Sequence, residues 1–390
     1  MEKESLKPRP ILIAIAVATA GVLPAFLTGG LAVQIRDELG FGAGALGLVV
    51  AVFFASSALA SVVSGRLVER VGSHRGMRVA ALVSAASLLA VSFADSWESL
   101  VACLVLGGFG NSITHPATHL SLAREVPRGR QGFSFGIKQS AIPAATLLAG
   151  LAVPTLGVTV GWRWAFVGGA ALALLISLLV PKEVGGGIRR VKEARTGDAR
   201  LGSLVLLALG IGLGSMAATP LGAFVVESAV ASGIEVSAAG YLLALGSATG
   251  ICVRVVFGYL ADSMGGGRLR LVAGMLGVGI VGFLLLASGV SWLLVIGLIL
   301  AFGAGWGWPG LFNFAVVKSN QGAPAAATGI TQTGASSGAA AGPLVFGFVV
   351  EATSFGAAWL LSGVLALIAA AAILAGRYML LRDHAVAPKS

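Results

Sequence analysis

The chain has 390 residues, 57% of them hydrophobic and 11% charged. A soluble domain carries roughly 25% charged residues, so a soluble fold around a single core is excluded. A formal net charge of +10 would suit a nucleic-acid partner, but the placement of the positive residues argues against one. Cys103 and Cys252 both lie inside apolar runs, where they form neither a disulfide framework nor a metal spacing.

The first segment carries Lys3, Lys7 and Arg9, and an apolar run follows over 10–31. It is too long for the core of a signal peptide and reads as an uncleaved first span. A hydrocarbon core of about 30 Å demands about 20 apolar residues of a helix. Further runs of that kind lie at 43–65, 77–95, 98–122, 131–154, 162–181, 201–226, 236–261, 269–289, 291–317, 324–350 and 355–380. The expectation is an all-α membrane protein of twelve transmembrane helices. Six belong to an N-terminal half (1–181) and six to a C-terminal half (201–390). The polar, Gly-rich stretch 182–200 connects them.

Lys and Arg set the orientation. With both termini on one side, that side receives 22 of the 26 positive residues; Arg36 and Arg163 fall opposite, and Lys138 and Arg254 fall within spans. Both termini are therefore expected in the cytoplasm, with the basic loops against anionic lipid.

The two halves repeat. Gly65-Arg66-Leu67-Val68-Glu69-Arg70-Val71-Gly72 returns as Gly258-Tyr259-Leu260-Ala261-Asp262-Ser263-Met264-Gly265, and 258 minus 65 is 193. The same shift carries Gly136-Ile137-Lys138-Gln139 onto Gly329-Ile330-Thr331-Gln332, Gly110 onto Gly303 and Pro116 onto Pro309. A constant offset at separate places marks an internal repeat.

A doubled six-helix array with this loop after the second helix of each half resembles the major facilitator superfamily. The family's loop reads roughly Gly-x-Leu-Ala-Asp-Arg-x-Gly-Arg-Arg. Gly65, Leu67, Arg70 and Gly72 match it, with Glu69 in place of the acid. Gly258, Leu260, Ala261, Asp262 and Gly265 match in the second copy, which lacks the Arg. The resemblance implies two pseudo-symmetric bundles with a site between them. It also implies a cytoplasmic gate in which Glu69 and Asp262 form charge pairs; the alternative is two solvated loop acids. The marks of drug–proton antiporters, an Arg early in the fourth span and a Gly-Pro in the fifth, are absent.

Ionisable groups deep in a span cost roughly 2.5–3.5 kcal/mol on insertion scales, so each is a functional candidate. Arg254 shares a four-residue spacing with Gly246, Gly250 and Gly258, a close-packing face that turns it into protein. An Arg four residues before the loop Gly is similar to that of monocarboxylate porters and oxalate–formate exchangers, where it binds the substrate carboxylate. The alternative is a structural Arg bonded to backbone carbonyls. Lys138 lies at a similar depth in the fifth span, unless its stem carries the charge to the surface. All 16 acids fall at termini, loops or helix ends, so neither cation has a carboxylate at its depth. An anionic substrate would supply it.

Asn111, His115 and His119 line one face of the fourth span. His115 and His119 are proton-coupling candidates, or histidines packed against carbonyls. Pro116 and Pro309 are expected to interrupt the fourth and tenth spans near the site. Trp306 and Trp308, with Gln139 and Gln332, would complete the pocket, although helix packing accounts for the tryptophans equally well. Gly334, Gly338 and Gly342 are expected to face Ser57, Ser61 and Gly65 as the surface on which the halves rock. Gly334-Ala335-Ser336-Ser337-Gly338 fits a hydrolase pattern, but a membrane helix cannot make the strand-to-helix elbow it needs.

The expected function is secondary transport, open to proton coupling, of a small organic anion, a carboxylate, across the cytoplasmic membrane by a monomer using neither cofactor nor metal. It is not an enzyme. The alternative is efflux of neutral or amphipathic compounds. A receptor on the same fold is a third class.

Overall fold

The computed structural model describes residues 8–126, 134, 137–181, 201–263, 266–320 and 323–386. The linker expected at 182–200, the loop residues Met264 and Gly265 and the side chain of Asp262 lie outside the described residues. Every regular element among the described residues is helical. Ten helices are long and apolar enough to cross a membrane. Ser73–Val91 and the pair Ala141–Ala152 and Val153–Gly157 supply the third and fifth spans, which completes twelve. An even number of crossings places both chain ends on one side, called here the terminal side.

Local structure departs from expectation at three places. The basic loop 65–78 is almost wholly helical. The second span runs Ala43–Val71 and the third begins at Ser73, with Gly72 (φ 91°) alone making the turn. A side chain there would be strained. A short helix, Ala32–Leu39, follows the first span and ends at left-handed Gly40. The fourth span, Trp97–Glu125, passes through Pro116 unbroken. The hydroxyls of Thr114 and Thr118 bond carbonyls one turn back and support the helix around the proline. The tenth span does break, next to Pro309 as expected, and so does the fifth. Gln139 and Ser140 form a turn before the fifth span's Ala141–Ala152 helix. The tenth span widens into a π turn over Ala301–Gly305, leaves helical geometry at Trp306–Trp308 and resumes at Pro309.

The small-residue stripe of the eleventh span does not face the second span. Cβ atoms on Gly334, Gly338 and Gly342 would run into the carbonyl oxygens of Ala208, Gly212 and Met216, all on the seventh span. The stripe therefore binds two helices of one half, and the face that meets the second span carries Pro343 and Gly347. Gly338→Val is expected to destabilise the C-terminal half by about 1–3 kcal/mol through overpacking. Thermal melting of the purified protein followed by gel filtration measures this.

The halves touch on the side away from the termini. There Gly47 lies against the Pro343 carbonyl, and Gly347 has Ala43 O 2.5 Å from where its Cβ would sit. A Cβ on Gly150 of the fifth span would lie 2.6 Å from Ala244 N and 2.7 Å from Gly240 O of the eighth. Toward the terminal side the same faces part. Gly65 is 18 residues beyond Gly47 (65 minus 47), five helical turns at 3.6 residues each, and so on the same face. It has nothing within 4 Å of a built Cβ, and neither have Gly258 or Gly329. Ala58 and Ser61, on that face of the second span, are exposed. The structure is closed on the far side and open on the terminal side.

Candidate functional site

The broken helices place the candidate residues. Ending the fifth span's first segment at Gln139 frees its carbonyl, and leaving helical geometry at Trp306 frees another. Arg254, 4% exposed, reaches both. Its Nη1 donates to Gln139 O, and its Nη2 donates to Trp306 O at 2.6 Å. The guanidinium also stands 6.0 Å from the centroid of the Trp306 ring. Gln139 belongs to the N-terminal half, while Arg254 and Trp306 belong to the other, so the group bridges the two.

Lys138, 2% exposed, immediately precedes Gln139, which brings both cations to consecutive residues of one segment. Its Nζ lies 3.3 Å from His115 Nδ1. The His115 and His119 rings meet edge to face at 6.3 Å. An ammonium has three donors and only one is taken by His115. The ion pairs found among the described residues are Arg36–Glu227, His74–Glu125 and Arg163–Glu38. None involves Lys138 or Arg254. Carbonyl dipoles thus compensate Arg254, as its structural alternative foresaw, while Lys138 has the His115 imidazole and, among the described residues, no carboxylate.

Aromatic rings wall the site. Trp306 contacts Phe26 of the first span (5.9 Å) and Phe302 (5.7 Å), and Phe26 contacts Phe54 of the second (6.2 Å). Trp308 does not belong to this wall. It is fully buried, donates Nε1 to Gly305 O at 2.8 Å and packs on Phe312 and Gly214 inside its own half. Asn111 turns to the second span and donates to Ser57 Oγ at 2.9 Å. Gln332 is exposed. It sits 11 residues before Pro343 (343 minus 332), about three turns, and so on the face toward the N-terminal half where the halves have parted.

Three polar atoms here are buried without a protein partner: Arg254 Nε, Asn111 Oδ1 and Ser140 Oγ. Ser140 escaped the sequence reading. Its only signal there was its place after Lys138-Gln139 and before Pro143. Buried groups of this kind ordinarily meet water or ligand.

At the loop, Glu69 and Arg70 are exposed on the open side, and His74 Nε2 meets Glu125 Oε1 of the fourth span at 3.2 Å. Among the described residues, the contacts between halves that involve a carboxylate lie on the far side, where none was anticipated. Arg36 pairs with Glu227 at the end of the seventh span and donates Nε to Phe41 O at 2.9 Å. Glu351 of the eleventh accepts from Gly44 N at 2.8 Å. Partial burial draws Arg36 below the usual guanidinium value, and Glu351 opposes that shift. Nearby, hydrogen bonds from Arg163 and Trp162 hold the Glu38 carboxyl below its ordinary range. Glu227 and Glu351 were legible only as helix-end acids.

Comparison with known proteins agrees with this architecture. The family profile of the Major Facilitator Superfamily matches residues 11–323 and 204–390. The uncharacterized MFS-type transporter YttB of Bacillus subtilis (strain 168) is 24% identical over 343 residues, 82% of each chain. The probable sulfoacetate transporter SauU of Cupriavidus necator is 26% identical over 145 residues, 37% of this chain and 34% of that one. Among solved structures, a bacterial homolog of the human lysosomal transporter Spinster, inward-facing and occupied, superposes with a TM-score of 0.76 at 15% identity. It covers 97% of this chain and 99% of its own. The nucleoside transporter NupG gives 0.74 at 15% identity, with 94% and 99% covered. The chain belongs to the major facilitator superfamily.

Proposed function

We propose that the chain carries a small organic anion, a carboxylate or a sulfonate, across the cytoplasmic membrane by alternating access. It acts as a monomer with both termini in the cytoplasm. The observation that carries this reading is a pair of buried cations at the boundary between the halves that no carboxylate among the described residues matches. Lys138 is the principal anchor, because among the described residues its ammonium meets only His115; Arg254 adds its field and its free Nε. An anion arriving from water offsets the desolvation these cations already bear. Trp306 and Phe26 suit an apolar body behind the charged head. The partial similarity to a probable sulfoacetate transporter points the same way. The open terminal side is then the cytoplasmic one, and the proton of a symport cycle rides on His115 or on the substrate's own carboxyl.

The aromatic wall also fits a second reading, efflux of neutral or amphipathic compounds. Reconstituted proteoliposomes separate the two. Labelled acetate, lactate, malonate and sulfoacetate are offered beside an uncharged aromatic drug, with and without a pH gradient. Saturable uptake of one of the anions, enhanced by an acidic exterior, is expected. Transport of the neutral compound alone would overturn the anion reading.

A further inference from the structure

The fifth span resumes after its break with an unfilled cap. Ser140 stands at the cap position of the Ala141–Ala152 helix, and its carbonyl accepts that helix's first bond, from Ala144 N at 2.9 Å. A serine in this place ordinarily turns its hydroxyl onto an amide two or three residues ahead. The third residue ahead is Pro143, which has no N–H, and Ser140 makes no capping bond. Pro143 also accounts for the break itself. A proline ring crowds the carbonyl four residues back, here that of Gln139, which accepts from Arg254 instead. The leading amides of a helix have no acceptor within it, so those of Ala141 and Ile142 look outward. Ser140 is 6% exposed, and its Oγ is buried with no partner. Thr19 of the first span steadies the helix start by donating to Ala141 O at 3.4 Å. Lys138, with its buried ammonium, lies two residues before Ser140.

We propose that this uncapped helix start is the cradle for the charged head of the substrate, and that the head is a sulfonate. The inference rests on the anion reading and gives the anion an address. Free amides and the partial positive charge at a helix N-terminus favour an oxyanion. The Ser140 hydroxyl has a proton to donate, and Lys138 supplies a full charge. The shape of the head follows from Arg254. A planar carboxylate is met best by the two parallel N–H bonds of a guanidinium. Arg254 turns both of its Nη atoms to the Gln139 and Trp306 carbonyls, so that fork faces backbone. What remains is an ammonium, a hydroxyl and two amides. Such separate donors suit a head whose three oxygens spread about one central atom, and its single charge matches the single ammonium. The missing N–H of Pro143 thus does two things at once: it breaks the span, and it leaves the cap of the new helix for the cargo to fill.

The test is calorimetric binding to the full-length protein in detergent, with ethanesulfonate, propionate and inorganic sulfate as probes, beside thermal melting without ligand. The parent is expected to bind ethanesulfonate at least about tenfold more tightly than the other two, as one additional bond to a charged group implies. Ser140→Ala removes such a bond and should weaken ethanesulfonate about tenfold or more. Its melting should be unchanged or raised, because an unpaired buried hydroxyl is lost. Ser140→Asp caps the helix with a carboxylate of its own. It should melt higher than the parent and bind no ethanesulfonate; if it folds poorly, Ser140→Ala carries the test. Equal ethanesulfonate affinity in the parent and the folded variants would overturn the cradle and leave the anion reading intact. Weaker binding in Ser140→Ala together with a lower melting temperature would make Ser140 a structural residue and overturn the cradle as well. Propionate bound as tightly as ethanesulfonate would overturn the sulfonate head, and sulfate bound as tightly would make this a site for inorganic anions instead of cargo. A parent that binds none of the three would count against the anion reading itself.

Discussion

Replacing Lys138 by Met is expected to abolish anion uptake while making the protein harder to melt. Methionine keeps the length and the apolar stem and removes the charge. Truncating one partner of a buried charged contact costs about 2–5 kcal/mol. Uptake at limiting substrate should therefore fall at least about 30-fold, since 1.4 kcal/mol is tenfold. Stability should move the other way. At 2% exposure, with an imidazole beside it and no carboxylate among the described residues, the ammonium is a standing cost in the empty protein. Replacing a poorly compensated buried charge with an apolar side chain of similar volume is neutral or stabilising by about 1–4 kcal/mol. Melting in detergent and uptake in proteoliposomes are the two measurements. Loss of both activity and stability would make Lys138 a structural residue and remove it from the site.

The second large effect concerns the faces on which the halves meet. Gly47→Leu and Gly65→Leu place the same side chain on the same face of the second span, five turns apart. A side chain at 47 collides with the Pro343 backbone, where a Cβ would stand 3.1 Å from the carbonyl carbon. At 65 it enters open space. The first variant should therefore wedge the far side open, and the second should leave the present conformation untouched and forbid the opposite one. An overpacking cost of about 1–3 kcal/mol shifts the balance of states about 5- to 150-fold. With Cys103 and Cys252 removed, cysteines at Ala43 and Ala58 report the two sides. In Gly47→Leu, Ala43→Cys should gain reactivity toward a soluble maleimide and Ala58→Cys should lose it. In Gly65→Leu, Ala58→Cys should stay reactive and transport should stop. Identical labelling in both variants would mean that the second span is not a sealing face.

The doubled bundle was readable from one chain because its marks are local. Apolar run lengths, the 193-residue offset and the basic loops each follow from residue type. The depth of Lys138 and Arg254 followed from the same counting. Their partners did not, because a backbone carbonyl carries no signature in a sequence; only the breaks at Gln139 and Trp306 made those oxygens available. One of these two prolines marked a break and the other did not. Pro116 lies in a helix whose threonines bond carbonyls around it, whereas the tenth span breaks in a glycine-rich π turn before Pro309. The stripe Gly334, Gly338, Gly342 announced a close-packed face correctly, but periodicity cannot say which neighbour it meets. Trp308 and Trp306 are two residues apart and looked equivalent, yet one closes the core of its half and the other borders the site.

The contact between Glu351 and Gly44 reaches beyond closure. The residue before the second span is Gly42, whose missing side chain leaves the first turn without a cap of its own. The carboxylate that satisfies Gly44 N–H belongs to the opposite bundle. When the bundles swing apart on that side, the acid leaves and the leading amides are handed to water. Opening that side therefore costs this helix its capping bond. Far-side sealing and helix-end satisfaction are thus one interaction, held by an acid that the other bundle lends.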